Sequence, residues 1–250
     1  MEGKVFWMVS EMDKNKAQIL CTVPLGQSLI DKVRAHGIDM DILSLIAIKP
    51  FSNKSLESEI IHLFQQAANI VFTSANAVNA VARFKGKHKP AWEIYCIGHA
   101  TQKAVYECFG AEKVILTADN ASELADKIIK QGNIKELVFF CGDIHRDELP
   151  QKLKQAEINV REVIVYGTIA TPQKIPKEYD AVLFFSPSAV NSFFEVNKAN
   201  KKTLFFAIGN TTAAAISEKT SNIVIVSNKP GKEELLELAI KYFQNKTVNA

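Results

Sequence analysis

Two stretches of this chain repeat one device: residues 70–81 read IVFTSANAVNAV, and residues 182–194 read VLFFSPSAVNSFF. Each is an apolar β-branched and aromatic run that ends at a Ser and passes directly into a helical pattern. A short, continuously apolar strand feeding a helix belongs in a parallel sheet covered on both faces, because an open antiparallel strand would alternate polar and apolar residues. The same device used twice implies that the sheet itself is used twice.

The rest of the chain supports this. Strand-like and helical runs alternate as ILCTV, SLIDKVRAHG, ILSLIAI; NIVFTS, ANAVNAVARF; IYCIG, HATQKAVYECFG; KVIL, SELADKIIKQG. After Gly132 the series begins again with ELVFFCG, LPQKLKQAE, VREVIVYG; AVLFFS, PSAVNSFFEV; LFFAIG, NTTAAAISEK; NIVIVS, KEELLELAIKYF. Cys21 aligns with Cys141, Ile38 with Ile158, Ser74 with Ser186, Gly98 with Gly209, and Leu124 with Leu235. Internal duplication therefore covers about Ala17 to Phe243, and the fold class is α/β: two similar three-layer α/β/α domains with parallel sheets. Gly37, Gly110 and Gly132 follow helical runs and are expected as left-handed C-caps. Residues 1–16 fall outside the repeat and read as an added arm or a poorly ordered start.

Composition narrows the function. A chain of 250 residues, 47% hydrophobic and 23% charged, has ample core for two domains. The net charge of +3 is too small for a nucleic-acid binder, and no window has the run of about 20 apolar residues that spans a membrane. Four cysteines without a C-x-x-C pair, and no leading signal segment, point to a reducing cytoplasm. His36, His62, His88, His99 and His145 lack metal-ligand spacing, and no nucleotide fingerprint occurs, so neither metal nor organic cofactor is expected.

Four turns fall where strand C-termini meet helix N-termini: TSAN (Thr73, Ser74, Ala75, Asn76), IGHAT (Gly98, His99, Thr101), SPS (Ser186, Ser188) and IGNTT (Gly209, Thr211, Thr212). Free amides and hydroxyls at such places suit anions, and they also serve as ordinary helix caps. On the crevices alone, a non-catalytic two-lobed protein closing on a small anion fits as well as an enzyme.

FTSANAV, REVIVYGT, FFSPSAV and AIGNTTAAAI, in this order and spacing, resemble the uroporphyrinogen-III synthase family over essentially the whole chain after the arm. The resemblance implies a segment exchange that periodicity alone does not show: residues 1–49 and 169–250 form one lobe and 50–168 the other, with crossings near 49–51 and 167–173. It implies a cytoplasmic, monomeric hydro-lyase that takes hydroxymethylbilane, a linear octacarboxylate tetrapyrrole, loses its terminal hydroxyl to give an azafulvene, and inverts ring D through a spiro intermediate. It also implies transient contact with hydroxymethylbilane synthase. Departure of hydroxide calls for a general acid, and Tyr166, at the family's tyrosine position, is the candidate; phenols with pKa values of about 10 are protonated at neutral pH. The turn residues above, with Gly142, are expected to hold carboxylates, helped by cations among Lys14, Lys16, Arg146 and Lys229. Two turns depart from the family pattern: CTVPLGQ has no Arg before Pro24, and CGDIHRDELP has Cys141 where an Arg usually precedes the Gly.

Overall fold

The computed structural model describes residues 16–229 and 231–248. The chain divides into two units: one holds the described residues up to Ala47 and those from Ala170 onward, and the other runs Ile48–Ile169. In the first unit, strands β1 (Ala17–Cys21), β2 (Ile38–Ile42), β9 (Ala181–Phe184), β10 (Leu204–Ala207) and β11 (Val224–Val226) form a sheet in the order β11-β10-β9-β1-β2. In the second, β3 (Ile46–Pro50), β4 (Ala68–Phe72), β5 (Trp92–Ile97), β6 (Val114–Ala118), β7 (Glu136–Gly142) and β8 (Asn159–Ala170) form a sheet in the order β3-β8-β7-β4-β5-β6. Apart from β3, the two orders are superimposable, so the duplication visible in the sequence is a duplication of topology.

Helices cover both faces of each sheet. In the second unit α2 (Lys54–Phe64), α3 (Ala75–Ala82) and α4 (Ala100–Phe109) pack on one face around Phe72, Trp92 and Phe140. On the other face α5 (Ala121–Gln131) and α6 (Glu148–Gln155) pack around Tyr95, Phe139 and Cys141. In the first unit α1 (Gln27–Ala35) and α9 (Lys232–Val248) cover one face, and α7 (Pro187–Val196) and α8 (Asn210–Ser217) the other. Helix starts follow from side-chain chemistry: Asn53, Ser74, Asn120 and Ser186 each accept a hydrogen bond from an amide of the first turn.

The structure corrects the sequence reading in several places. The strand expected in ILSLIAI is two strands: β2 begins earlier, at Ile38, where IDMDI alternates, and β3 begins at Ile46. Helix α2 has no partner in the repeat, so the periodic reading passes over it. β3 lies beside β8 and runs antiparallel to it, because Phe51 N–H bonds Val165 O at 2.9 Å while Thr171 N–H bonds Leu45 O at 2.9 Å. The sheets are otherwise parallel. The register also re-pairs the cysteines. Leu183 faces Cys21 and its repeat counterpart Val71 faces Phe139, so Cys21 corresponds to Phe139 and β7 continues three residues beyond β1. Gly37 and Gly132 have the expected left-handed φ of 71° and 72°, whereas Gly110 (φ 100°, ψ 145°) turns into a short 3₁₀ segment. Residues 1–15 of the expected arm lie outside the described residues.

The second core is strongly aromatic. Phe140 is fully buried, stacked on Phe72 at 5.5 Å and tilted against Trp92 at 6.0 Å, and Trp92 Nε1 donates to Leu63 O at 2.9 Å. Phe140→Ala should cost about 3–5 kcal/mol, since these neighbours are anchored and collapse little into the void. Chemical denaturation measures this, and a loss below about 1 kcal/mol would show the core to be more plastic than its ring stacking implies.

Candidate active site

In the second unit the chain moves outward through β4, β5 and β6, then returns to β7 and β8 on the other side of β4. Helices α3 and α6, which follow the adjacent strands β4 and β7, therefore leave toward opposite faces: Ala77, Val78 and Val81 join one core, Leu149 and Leu153 the other. Diverging helices leave a crevice at the strand C-termini, the usual ligand position in open α/β sheets. The first unit has the same reversal between β9 and β1.

Ser74 and Gly142 lie at this reversal. Ser74 caps α3 and accepts the Asn76 amide at 3.2 Å, and it also accepts the Tyr166 hydroxyl at 3.1 Å. Tyr166 is on β8, two strands from β4, a separation of about 10 Å at ordinary strand spacing. It spans that distance because its ring crosses β7 at a residue with no side chain: a Cβ on Gly142 would lie 2.5 Å from Tyr166 Cζ and 2.8 Å from its hydroxyl oxygen. A register shift between Cys141 and Gly142 sets Tyr166, rather than Val165, opposite Gly142. Consecutive residues Val165 and Tyr166 consequently enter the same core. Both acceptor positions of Ser74 Oγ are filled, and its own proton remains to donate.

Asp143 holds the turn behind Gly142. Its amide donates to Tyr166 O at 3.0 Å, and its Oδ1 accepts the Thr168 and Ile144 amides, each at 2.9 Å. The sequence reading passed over Asp143, although a CGD turn after a buried strand was the available signal.

At the next strand end, His99 has φ 59° and ψ −125°, a backbone conformation that side-chain-bearing residues rarely adopt, and its exposed side chain makes no capping bond. Such strain costs on the order of 1–3 kcal/mol and concentrates at functional turns. Thr73, Ala75 and Gly98 are half-buried and Asn76 is exposed. Thr101, at 4% exposure, packs into the core and leaves its hydroxyl little access to a ligand.

The first unit repeats the arrangement with different side chains. Ser186 caps α7 by accepting the Ala189 amide at 3.2 Å, Ser188 follows half-buried in the first turn, and Gly209 opens α8, where a Cβ would meet nothing within 4 Å. Thr211 is exposed, whereas Thr212 is 1% exposed and turned into the core. Thr22 at the end of β1 is buried and donates its hydroxyl to Leu183 O at 2.8 Å. The cation missing from the sequence before Pro24 arrives from elsewhere: Lys232 Nζ donates to Pro24 O at 2.9 Å. A separation of 208 residues hid it from motif reading. Of the cations expected from sequence, Lys16, Arg146 and Lys229 are exposed and Lys14 lies outside the described residues.

Metal-ligating groups do come together, contrary to the expectation from spacing. Cys141, His145 and Glu162 place ligand atoms within 4.8 Å of one another, Glu162 being supplied by the neighbouring strand. Cys141 thus has a histidine beside it, brought there by the turn that follows β7. Burial pushes the Cys21 and Cys96 thiols up to about 11, and burial with the Glu162 charge pushes Cys141 up to about 12.

Gly142→Ala should displace the Tyr166 ring and destabilise the protein by about 1–3 kcal/mol, the usual result of overpacking. A thermal melt read together with Tyr166 fluorescence measures both effects. Unchanged values would mean that the ring does not depend on the bare strand beneath it.

A family model described as uroporphyrinogen-III synthase HemD matches residues 27–237 of the chain. The uroporphyrinogen-III synthase of Saccharomyces cerevisiae is 32% identical over 177 residues, which cover 60% of this chain and 64% of that one; the match thus spans less than two thirds of the relative. The crystal structure of uroporphyrinogen-III synthetase from Helicobacter pylori shares the fold with a TM-score of 0.66 at 17% identity, covering 90% of this chain and 99% of that one. A mutant uroporphyrinogen III synthase from Thermus thermophilus gives 0.61 at 13% identity, covering 92% and 99%.

Proposed function

The chain belongs to the uroporphyrinogen-III synthase family, and on that premise we propose that it closes hydroxymethylbilane to uroporphyrinogen III with loss of water and inversion of ring D. The single observation that supports a catalytic role is the fixed phenol: Tyr166 hydroxyl on Ser74 Oγ at 3.1 Å, over a strand kept bare by Gly142.

The reaction begins when the C–O bond of the terminal hydroxymethyl group breaks. In this reading Tyr166 donates its proton to the departing hydroxide, giving water, and Ser74 orients the phenol for that transfer. The pyrrole N–H proton released as the azafulvene forms restores the phenol. Ring closure through the spiro intermediate then requires conformational control more than acid strength, which is the task of groups that hold carboxylates. We assign that task to Ser74, Ser186 and Ser188 with the amides opening α3, α4, α7 and α8, and to Lys232 in the turn where the family pattern places an Arg.

We further infer a cytoplasmic monomer that receives its substrate by transient contact with hydroxymethylbilane synthase. Free Cys21, Cys96, Cys108 and Cys141 support the reducing compartment, and among the described residues no helix is long and apolar enough to cross a membrane. Because hydroxymethylbilane closes spontaneously to the type I isomer, a short hand-over favours the enzymatic product.

The function is tested by supplying hydroxymethylbilane generated in situ and separating the oxidised products. Type III isomer is expected; type I alone would overturn the proposal. Lys232→Met should raise KM about five- to tenfold with kcat unchanged, on the order of 1 kcal/mol for one charge-assisted contact. An unchanged KM would remove Lys232 from the binding set.

A further inference from the structure

On the sheet face opposite the Tyr166 ring, three different ligand types converge: Cys141 at the end of β7, His145 in the turn that follows, and Glu162 on β8. The local geometry fixes how each is presented. His145 Nδ1 lies 2.9 Å from Gly142 O, and since a carbonyl only accepts, this nitrogen carries a hydrogen. Nε2 is thereby turned toward the cluster, 2.9 Å from Glu162 Oε2. A backbone carbonyl on one ring nitrogen, with the other nitrogen facing a carboxylate and a thiol, is how metal-binding histidines are oriented. The second oxygen of Glu162 accepts Lys154 Nζ at 2.9 Å. Burial alone would raise the Glu162 carboxyl, but its bonds to Lys154 and His145 hold it below the usual carboxylate range. Asp147 Oδ1 is 3.7 Å from Nε2.

The cluster is not a nucleophilic triad. Both ring nitrogens of His145 face acceptors, so neither is placed to take the proton of Cys141.

We propose that Cys141 Sγ, His145 Nε2 and Glu162 Oε2 form a binding site for a thiophilic divalent cation of zinc type, with the Asp147 carboxylate or a water as fourth ligand. Thiolate, imidazole and one carboxylate suit a borderline-soft ion with tetrahedral preference. On binding, Cys141 gives up its thiol proton and His145 its Nε2 proton, both to solvent, so that Sγ and the freed Nε2 lone pair face the ion, and Glu162 keeps Lys154 on its outer oxygen. Metal–ligand bonds of about 2.0–2.3 Å imply ligand separations near 3.5 Å, so the turn from Asp143 to Asp147 closes by on the order of 1 Å. The bound ion ties that turn to β8. It stands apart from the proposed reaction, which uses the other face of the sheet.

Cobalt(II) titration of the reduced full-length protein tests this. One equivalent should bind with a thiolate-to-cobalt charge-transfer band and intense tetrahedral visible bands, and zinc should displace it. Cys141→Ser should abolish the charge-transfer band, Glu162→Gln should weaken cobalt binding at least about tenfold, and Cys108→Ser should change neither. The proposal is overturned if no band develops in excess cobalt, if the band survives Cys141→Ser, or if it disappears in Cys108→Ser. Should Cys141→Ser fail to fold by circular dichroism, Glu162→Gln decides: unchanged affinity overturns the site.

Discussion

The first unit depends on the pairing of β1. This strand lies between β2 and β9, with Ile19, Leu20 and Cys21 set against Ala181, Val182 and Leu183, and it is buried on both faces. Its flanks are pinned as well: Asp180 N–H bonds Gln18 O at 2.9 Å, Thr22 N–H and Oγ1 both reach Leu183 O, and the buried Tyr179 hydroxyl donates to Asp41 at 2.7 Å. A central strand drawn from about 160 residues away imposes a large loop-closure cost, whereas residues 48–169 make their sheet from contiguous chain. The long β8, paired with β3, is the accommodation this demands, because the chain must leave and return between the units in extended segments.

The same topology fixes where the candidate site sits. Reversal of strand order between β4 and β7, and between β9 and β1, opens each crevice beside a capping serine, so Ser74 and Ser186 are structural and available together. The difference between the crevices lies in the three extra residues of β7. They carry the register shift and Gly142, and these allow a tyrosine on the second strand over to reach the serine. At the corresponding place in the first unit, Thr22 spends its hydroxyl on a backbone carbonyl. One duplicated frame thus has one phenol-bearing end and one without.

Much of this was legible in the sequence, because buried parallel strands and helix caps leave local patterns. Ser74 and Ser186 were readable from apolar runs ending in Ser, and the sheets from their repeated order. Other features were not local. Both pairings of the repeated βαβ pieces satisfy the same periodicity, so the exchange came only through family resemblance. The antiparallel β3, the reach of Tyr166 across Gly142, the approach of Lys232 to Pro24 and the meeting of Cys141 with Glu162 are all products of tertiary register. Burial of Thr101 and Thr212 reflects helix rotation, which a motif at a turn does not specify.

The central claim is that the phenol held across Gly142 delivers the proton that releases hydroxide. Single-turnover kinetics of Tyr166→Phe, with the product isomers resolved, tests it most directly. The account predicts a folded protein whose turnover falls by about 10²–10⁴-fold while the ring made on the enzyme remains type III, because positioning survives the loss of the acid. Turnover at the full rate in a folded Tyr166→Phe protein would contradict it.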